Sequence, residues 1–164
     1  MGKKKVYLET TMFNFFVEEI ADDHHINTVK FFEEIAAGKY EAFTSMYVLR
    51  EIERTEDEEK RKKMLDLSNK YDIAVLKETD EAAKLAEIYV EEGVIQRKFM
   101  TDCLHIAIAT VHGIDMIVSM NHKHIVKDKT IIMTSYINVQ KGYRAIKICS
   151  PTEVMEYGKK DQYG

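Results

Sequence analysis

The chain has 164 residues, 45% hydrophobic and 32% charged, with a formal net charge of −4; this is the make-up of one globular domain, able to bury about two thirds of its unfolded surface without disulfides or a structural metal. No stretch approaches the roughly 20 apolar residues of a membrane span, and Met-Gly-Lys-Lys-Lys runs straight into Val6, Tyr7 and Leu8 without an export pattern, so a soluble, cytoplasmic protein is expected. The acidic balance counts against a nucleic-acid partner, but net charge hides local patches: Lys3 to Lys5, Lys60 to Lys63 and Lys123 to Lys129 are basic clusters that could flank an acidic site, although their plainest reading is a solvated face or terminus.

Taken in chain order, Lys5 to Leu8 reads as a short strand closed by the polar run Glu9-Thr10-Thr11. Phe13, Phe16 and Ile20 recur at helical spacing, and Asn27 is placed to cap a second helix that carries Val29, Phe31, Phe32 and Ile35 and ends at Gly38. Tyr40 to Thr44 is a second strand, after which Ser45 can cap a helix through Val48, Leu49 and Ile52. Residues 57 to 70 are highly charged, with Met64, Leu65 and Leu67 as the apolar stripe of a surface helix. Ile73 to Leu76 is a third strand, and Thr79 caps a helix that stops at Gly93. Thr101 can cap a helix from Asp102 to His112 that is apolar almost all round and therefore buried. Met116 to Ser119 gives a fourth strand, Thr130 to Gln140 a helix, and Ala145 to Cys149 a fifth strand. Ser150-Pro151-Thr152-Glu153 is a capping box with proline at the first helical position. A domain over residues 1–157 and a loose polar tail over 158–164 are expected.

Strands alternating with helices imply crossover connections, a parallel sheet and helices on both faces. The expected class is α/β, a single three-layer α/β/α domain with a five-stranded parallel sheet. Ligands of such sheets bind outside the carboxyl ends of the strands. Four residues gather there: Glu9 after the first strand, Glu51 in the helix after the second, Asp102 opening the buried helix, and Asn121 after the fourth strand. Each has a structural explanation. Glu9 can be a loop residue or a helix cap, Asp102 suits the positive end of a helix, and Glu51 falls on the border between the buried side (Val48, Leu49, Ile52) and the solvent side (Arg50, Glu53, Arg54). With 28 acids in the chain, no one of them decides anything.

Cys103 and Cys149 are too far apart for a zinc pattern and read as buried hydrophobes. His24, His25, His122 and His124 read as structural or surface residues, and His105, one turn from Asp102, as a hydrogen-bonded core residue. Tyr47 and Phe99 are assigned to the core.

The blocks VYLETTMFNFF, FTSMYVLREIER, TDCLHIAIATVHGIDMIVSMNHKHI and ICSPTEVM together resemble a PIN-domain protein, the family that includes VapC-like toxins, over residues 5 to 157. The resemblance implies strand order 3-2-1-4-5, with Glu9 and Asn121 at one crevice, and an acidic pocket of Glu9, Glu51 and Asp102. It implies a metal-dependent endoribonuclease that hydrolyses RNA phosphodiester bonds using Mg²⁺ or Mn²⁺. Glu9 and Asp102 would be direct ligands, Glu51 a ligand through water or a water-orienting base, and Asn121 a water or phosphate contact. Ser119 and Thr10 would support the acids from behind. Further implications are a homodimer and a small antitoxin partner. Two departures bear on this: the family's first acid is usually Asp, and its fourth acid is here the neutral Asn121, so one well-held cation is expected rather than two. The alternative is a catalytically weak or inactive PIN-like module that binds RNA or a protein partner.

Overall fold

The computed structural model describes residues 2–18, 20 and 22–163, with side chains through Lys159. Five strands, β1 (Lys4–Leu8), β2 (Tyr40–Ser45), β3 (Ala74–Leu76), β4 (Met116–Val118) and β5 (Lys147–Cys149), form one sheet in the order β3-β2-β1-β4-β5. Every neighbouring pair is parallel. Val6, Tyr7 and Leu8 are consecutive, so they face opposite sides of the sheet, yet all three are fully buried. Helices therefore cover both faces, as a parallel sheet requires.

The helices are α1 (Thr10–Val17), α2 (Asp23–Ala36), α3 (Met46–Glu53), α4 (Glu58–Lys70), α5 (Asp80–Glu91), α6 (Met100–Val111), α7 (Asp128–Gln140) and α8 (Pro151–Tyr163). α1 packs on α2 and α4, and α5 packs along α6. Two capping expectations hold in atomic detail. Thr79 accepts from the Ala82 N–H at 3.1 Å; Ser150 and Glu153 exchange hydrogen bonds, N–H of each to side chain of the other, at 3.2 and 3.3 Å. Cys103 and Cys149 are buried free thiols, the first pushed up to about 12 and the second to about 11 by desolvation, which leaves them unreactive.

Several local expectations give way to stronger interactions. α2 starts at Asp23, not after Asn27, because the Asp22 carboxylate accepts from the His25 N–H at 2.9 Å, and a charged cap at the positive helix end outcompetes a neutral one downstream. α1 stops at Val17, leaving Ile20 71% exposed outside the apolar face it was expected to continue. Ser45 precedes α3 but makes no capping bond; its hydroxyl turns inward to Tyr7. α6 begins at Met100 as the continuation of a 3₁₀ turn over Arg97–Phe99, so Thr101 lies within the helix and caps nothing. α7 begins two residues before Thr130, whose hydroxyl instead donates to the His124 carbonyl at 2.6 Å. The backbone of 158–163 continues α8.

Candidate active site

The carboxyl edge of the sheet brings the expected residues together. The β1–β4 ladder runs to Leu8↔Val118, so Glu9 and Ser119 leave the two central strands side by side. The Glu9 N–H donates to the Val118 carbonyl at 3.2 Å. The Glu9 side chain folds back as the N-cap of α1 and is 3% exposed. Its Oε1 accepts from the Thr11 N–H at 3.1 Å, the Thr11 hydroxyl at 2.5 Å and the Ser119 hydroxyl at 2.7 Å. Burial pushes the Glu9 carboxyl up, opposed by the charge of His105 and by the bonds from Thr11 and Ser119.

Glu51 projects from α3 and keeps 31% of its side chain exposed, in line with its border position on the helical wheel. Its Oε1 accepts from the Thr10 hydroxyl at 2.9 Å and contacts His105 Nε2 at 2.5 Å. His105 is wholly buried on α6, and its Nδ1 lies 2.7 Å from the Tyr7 hydroxyl, which in turn is 2.6 Å from Ser45 Oγ. In the neutral tautomer that donates through Nε2, the ring links Tyr7 to Glu51 in one unbroken chain. Burial alone would depress the His105 pKa, but its bond to Glu51 and the charges of Glu51, Glu9 and Asp102 outweigh that and leave it raised. For Glu51, burial acts upward and is outweighed by the His105 bond and charge, with Thr10 adding to them, so its carboxyl is lowered.

Asp102 lies in the first turn of α6 with its side chain 15% exposed. Its Oδ2 is 2.9 Å from His124 Nδ1. Burial raises the Asp102 carboxyl, while His105 and His124 pull it down and Glu51 adds to the rise. Asn121 reaches the cluster through its backbone, the N–H donating to Ser119 Oγ at 2.9 Å. Its side-chain oxygen accepts from the His124 N–H at 3.0 Å. The amide thus shapes the loop after β4 and holds His124 over Asp102.

Among the described residues, no group of three or more His, Cys, Asp or Glu side chains converges closely enough to hold a metal ion. The donor chemistry nevertheless fits a hard cation. Each acid has one oxygen tied to protein, Oε1 of Glu9, Oε1 of Glu51 and Oδ2 of Asp102. The second oxygen of each accepts no protein hydrogen bond among the described residues and is not a buried orphan. One oxygen anchored and one free on each of three carboxylates is hard-oxygen chemistry of the kind that Mg²⁺ or Mn²⁺ favours.

Sequence reasoning placed Glu9, Glu51, Asp102, Asn121, Ser119 and Thr10 near one edge, and their geometry is as described. It assigned no site role to Thr11, Tyr7 or Ser45, and it kept His105 and His124 as structural residues. His105 is the hydrogen-bonded core residue it was read as, but its partner is Glu51 itself. The i, i+3 spacing of Asp102 and His105 on one helix face was the available signal. Replacing Ser119 with Ala removes a donor to the buried Glu9 carboxylate and an acceptor for the Asn121 N–H. The expected cost is about 2 kcal/mol of stability at neutral pH, read as a lower urea midpoint with an unchanged slope.

No protein-family model matches the sequence, and no curated protein matches it. Solved structures do. A chain of the crystal structure of VapBC2 from Rickettsia felis, bound to a DNA fragment from their promoter, is 15% identical with a TM-score of 0.56, over 89% of this chain and 98% of that one. VapC20 of Mycobacterium tuberculosis, described as a Sarcin-Ricin loop cleaving toxin, is 14% identical with a TM-score of 0.58, over 73% of this chain and 92% of that one. At such identities the likeness is one of architecture, and with the strand order 3-2-1-4-5 it establishes that this chain has the fold of the VapC-like PIN domains.

Proposed function

We propose that the protein is a divalent-metal-dependent endoribonuclease of PIN type, the toxin of a toxin–antitoxin pair. The observation that carries this reading is the trio Glu9, Glu51 and Asp102 at the carboxyl edge, each holding one oxygen in the protein and leaving one free. The Sarcin-Ricin loop cleavage ascribed to VapC20 favours a nuclease over other uses of such an acidic cluster. Glu9 and Asp102 would hold Mg²⁺ or Mn²⁺, one ion rather than two, because Asn121 brings no charge to the fourth corner. When bound, the cation supplies charge neutralisation on the phosphodiester and lowers the pKa of water.

The protein's own groups do the rest. Ser119 and Thr11 fix the Glu9 carboxylate, Thr10 and His105 fix Glu51, and His124 fixes Asp102, so none of the three needs to reorganise when substrate arrives. Glu51, the most exposed of the three and the one whose carboxyl is lowered, stays ionised and is suited to orient a water beside the scissile phosphate. The alternative of an inactive binding module rests on Glu9 in place of Asp and on Asn121 in place of a fourth acid.

A homodimer is the expected assembly, and α7 offers the surface for it. Ile132, Tyr136 and Val139 fall on one face at helical spacing and are 67%, 64% and 61% exposed. Residues 130–140 carry no charge, unusual for a solvent-facing helix in a chain this charged. A second copy of the stripe packed antiparallel would bury it and bring Asp128 of each helix toward Lys141 of its mate. The small antitoxin would meet the acidic pocket with a basic side chain. No helix among the described residues is long and apolar enough to cross a membrane.

Two measurements check these readings. The purified protein is expected to cut RNA with Mn²⁺ or Mg²⁺ and not with chelator, and Asp102→Ala is expected to lose at least 100-fold in rate, on the order of the 3 kcal/mol that one positioned charge contributes. Cleavage by the variant at the wild-type rate would remove the assignment. In sedimentation velocity the wild type is expected to run as a dimer and an Ile132→Glu, Val139→Glu variant as a monomer; identical profiles would move the interface elsewhere.

A further inference from the structure

Beside the acidic site lies a cleft of about 680 Å³ between the segment from Val94 to Phe99 and the segment from Lys123 to Thr130. Arg97, Lys98, Lys123, Lys127 and Lys129 line it, and no carboxylate does. Four other clefts of the described surface each include at least one Asp or Glu among their lining residues. Segregation of this kind is not what a net charge of −4 spreads over a surface by chance. Arg97 is partly neutralised by a two-pronged bond to Glu87 at 3.0 and 2.9 Å. The four lysines are in no ion pair among the described residues, so their charge is free for a ligand.

Two further features show what kind of anion the cleft suits. Phe99 and His124, both at its wall, are packed with ring centroids 3.9 Å apart, and the Lys98 ammonium lies 5.0 Å from the Phe99 ring. A π surface among cations is the combination that takes stacked bases along with phosphates. The same His124 bonds Asp102, so the wall of the basic cleft is one hydrogen bond away from that member of the acidic trio. α7 also starts here, its N-cap Lys127 offering no side-chain bond to the first-turn N–H groups, which leaves them to an anion. An acidic polypeptide would satisfy the lysines, but it has no use for the π surface and would run its charge into Glu9, Glu51 and Asp102.

We propose that this cleft seats a single-stranded nucleic acid, its phosphates on Lys98, Lys123, Lys127 and Lys129 and a base against Phe99 and His124, with the strand leading toward Asp102. The direction of the strand rests on the nuclease reading; binding in the cleft does not. Cations on one side of the phosphodiester and carboxylates on the other reconcile an acidic protein with a polyanionic ligand.

The test is fluorescence anisotropy of the full chain with a labelled single-stranded RNA of about 12 nucleotides, in chelator so that no cleavage occurs, over a series of salt concentrations. Lys123→Ala, Lys127→Ala, Lys129→Ala together is expected to bind at least tenfold more weakly. Its plot of log affinity against log salt should be shallower by about 2, the loss of three phosphate contacts at roughly 0.7 each. Lys60→Ala, Lys62→Ala, Lys63→Ala on α4 is the control and is expected to bind like the wild type; circular dichroism checks that both variants fold. The same sequence as DNA separates an RNA-specific seat from one that takes either strand. Wild-type affinity in the cleft variant, an equal loss in the α4 control, no RNA binding by the wild type, or lysine-dependent binding of polyglutamate but not RNA would each overturn the proposal. If lysine-dependent binding is seen and Mn²⁺ elicits no cleavage, the seat stands and the nuclease reading falls.

Discussion

The carboxylate of Glu9 is almost wholly removed from water at the end of the central strand, and a buried charge of that kind costs several kcal/mol unless protein donors replace the lost hydration. Three donors do so on one oxygen, from Thr11 and Ser119. They lie on opposite sides of the β1–β4 junction, which makes the carboxylate a tie between the start of α1 and the exit of β4. The junction in turn fixes the loop that follows: Ser119 receives the Asn121 N–H, Asn121 receives the His124 N–H, and His124 contacts Asp102. One buried charge is thereby connected to the opening of α6 through a run of short bonds.

On the other side the connection is electrostatic. His105 touches Glu51, and the charges of Glu9 and Asp102 both act on it, so a single imidazole is coupled to all three acids. An arrangement built only for stability would not gather three carboxylates around one histidine and then leave a free oxygen on each, since replacing such groups by apolar ones is often neutral or better. In the proposed reading, a cation is the partner that would turn this cost into binding.

Much of this was legible in the sequence, and what was missed was missed for identifiable reasons. Strand and helix alternation gives the class, and the resemblance gives the strand order that places Glu9 beside Ser119. Glu51 at the edge of its helix wheel is 31% exposed in its side chain, as one-dimensional geometry predicts. The Ser150–Glu153 box forms because both partners lie within one turn. The contacts that escaped are those between residues distant in the chain: Tyr7 with Ser45 and His105, and His105 with Glu51, are separated by 38, 98 and 54 residues. Ser45 reads as a cap locally, and the partner that wins it is on another strand. The lysines after β4 read as a solvated run because nothing local reveals that Arg97, Lys98 and Phe99 stand across the cleft from them.

The central claim is that the three carboxylates exist to hold a cation, and calorimetric titration of the metal-free protein with Mn²⁺ tests it most directly. The account predicts one saturable site in the wild type, abolished in Glu9→Gln, whose amide still accepts from Thr11 and Ser119, and retained in a variant altered only at Tyr136. Absence of any Mn²⁺ binding, or an unchanged isotherm in Glu9→Gln, would contradict it.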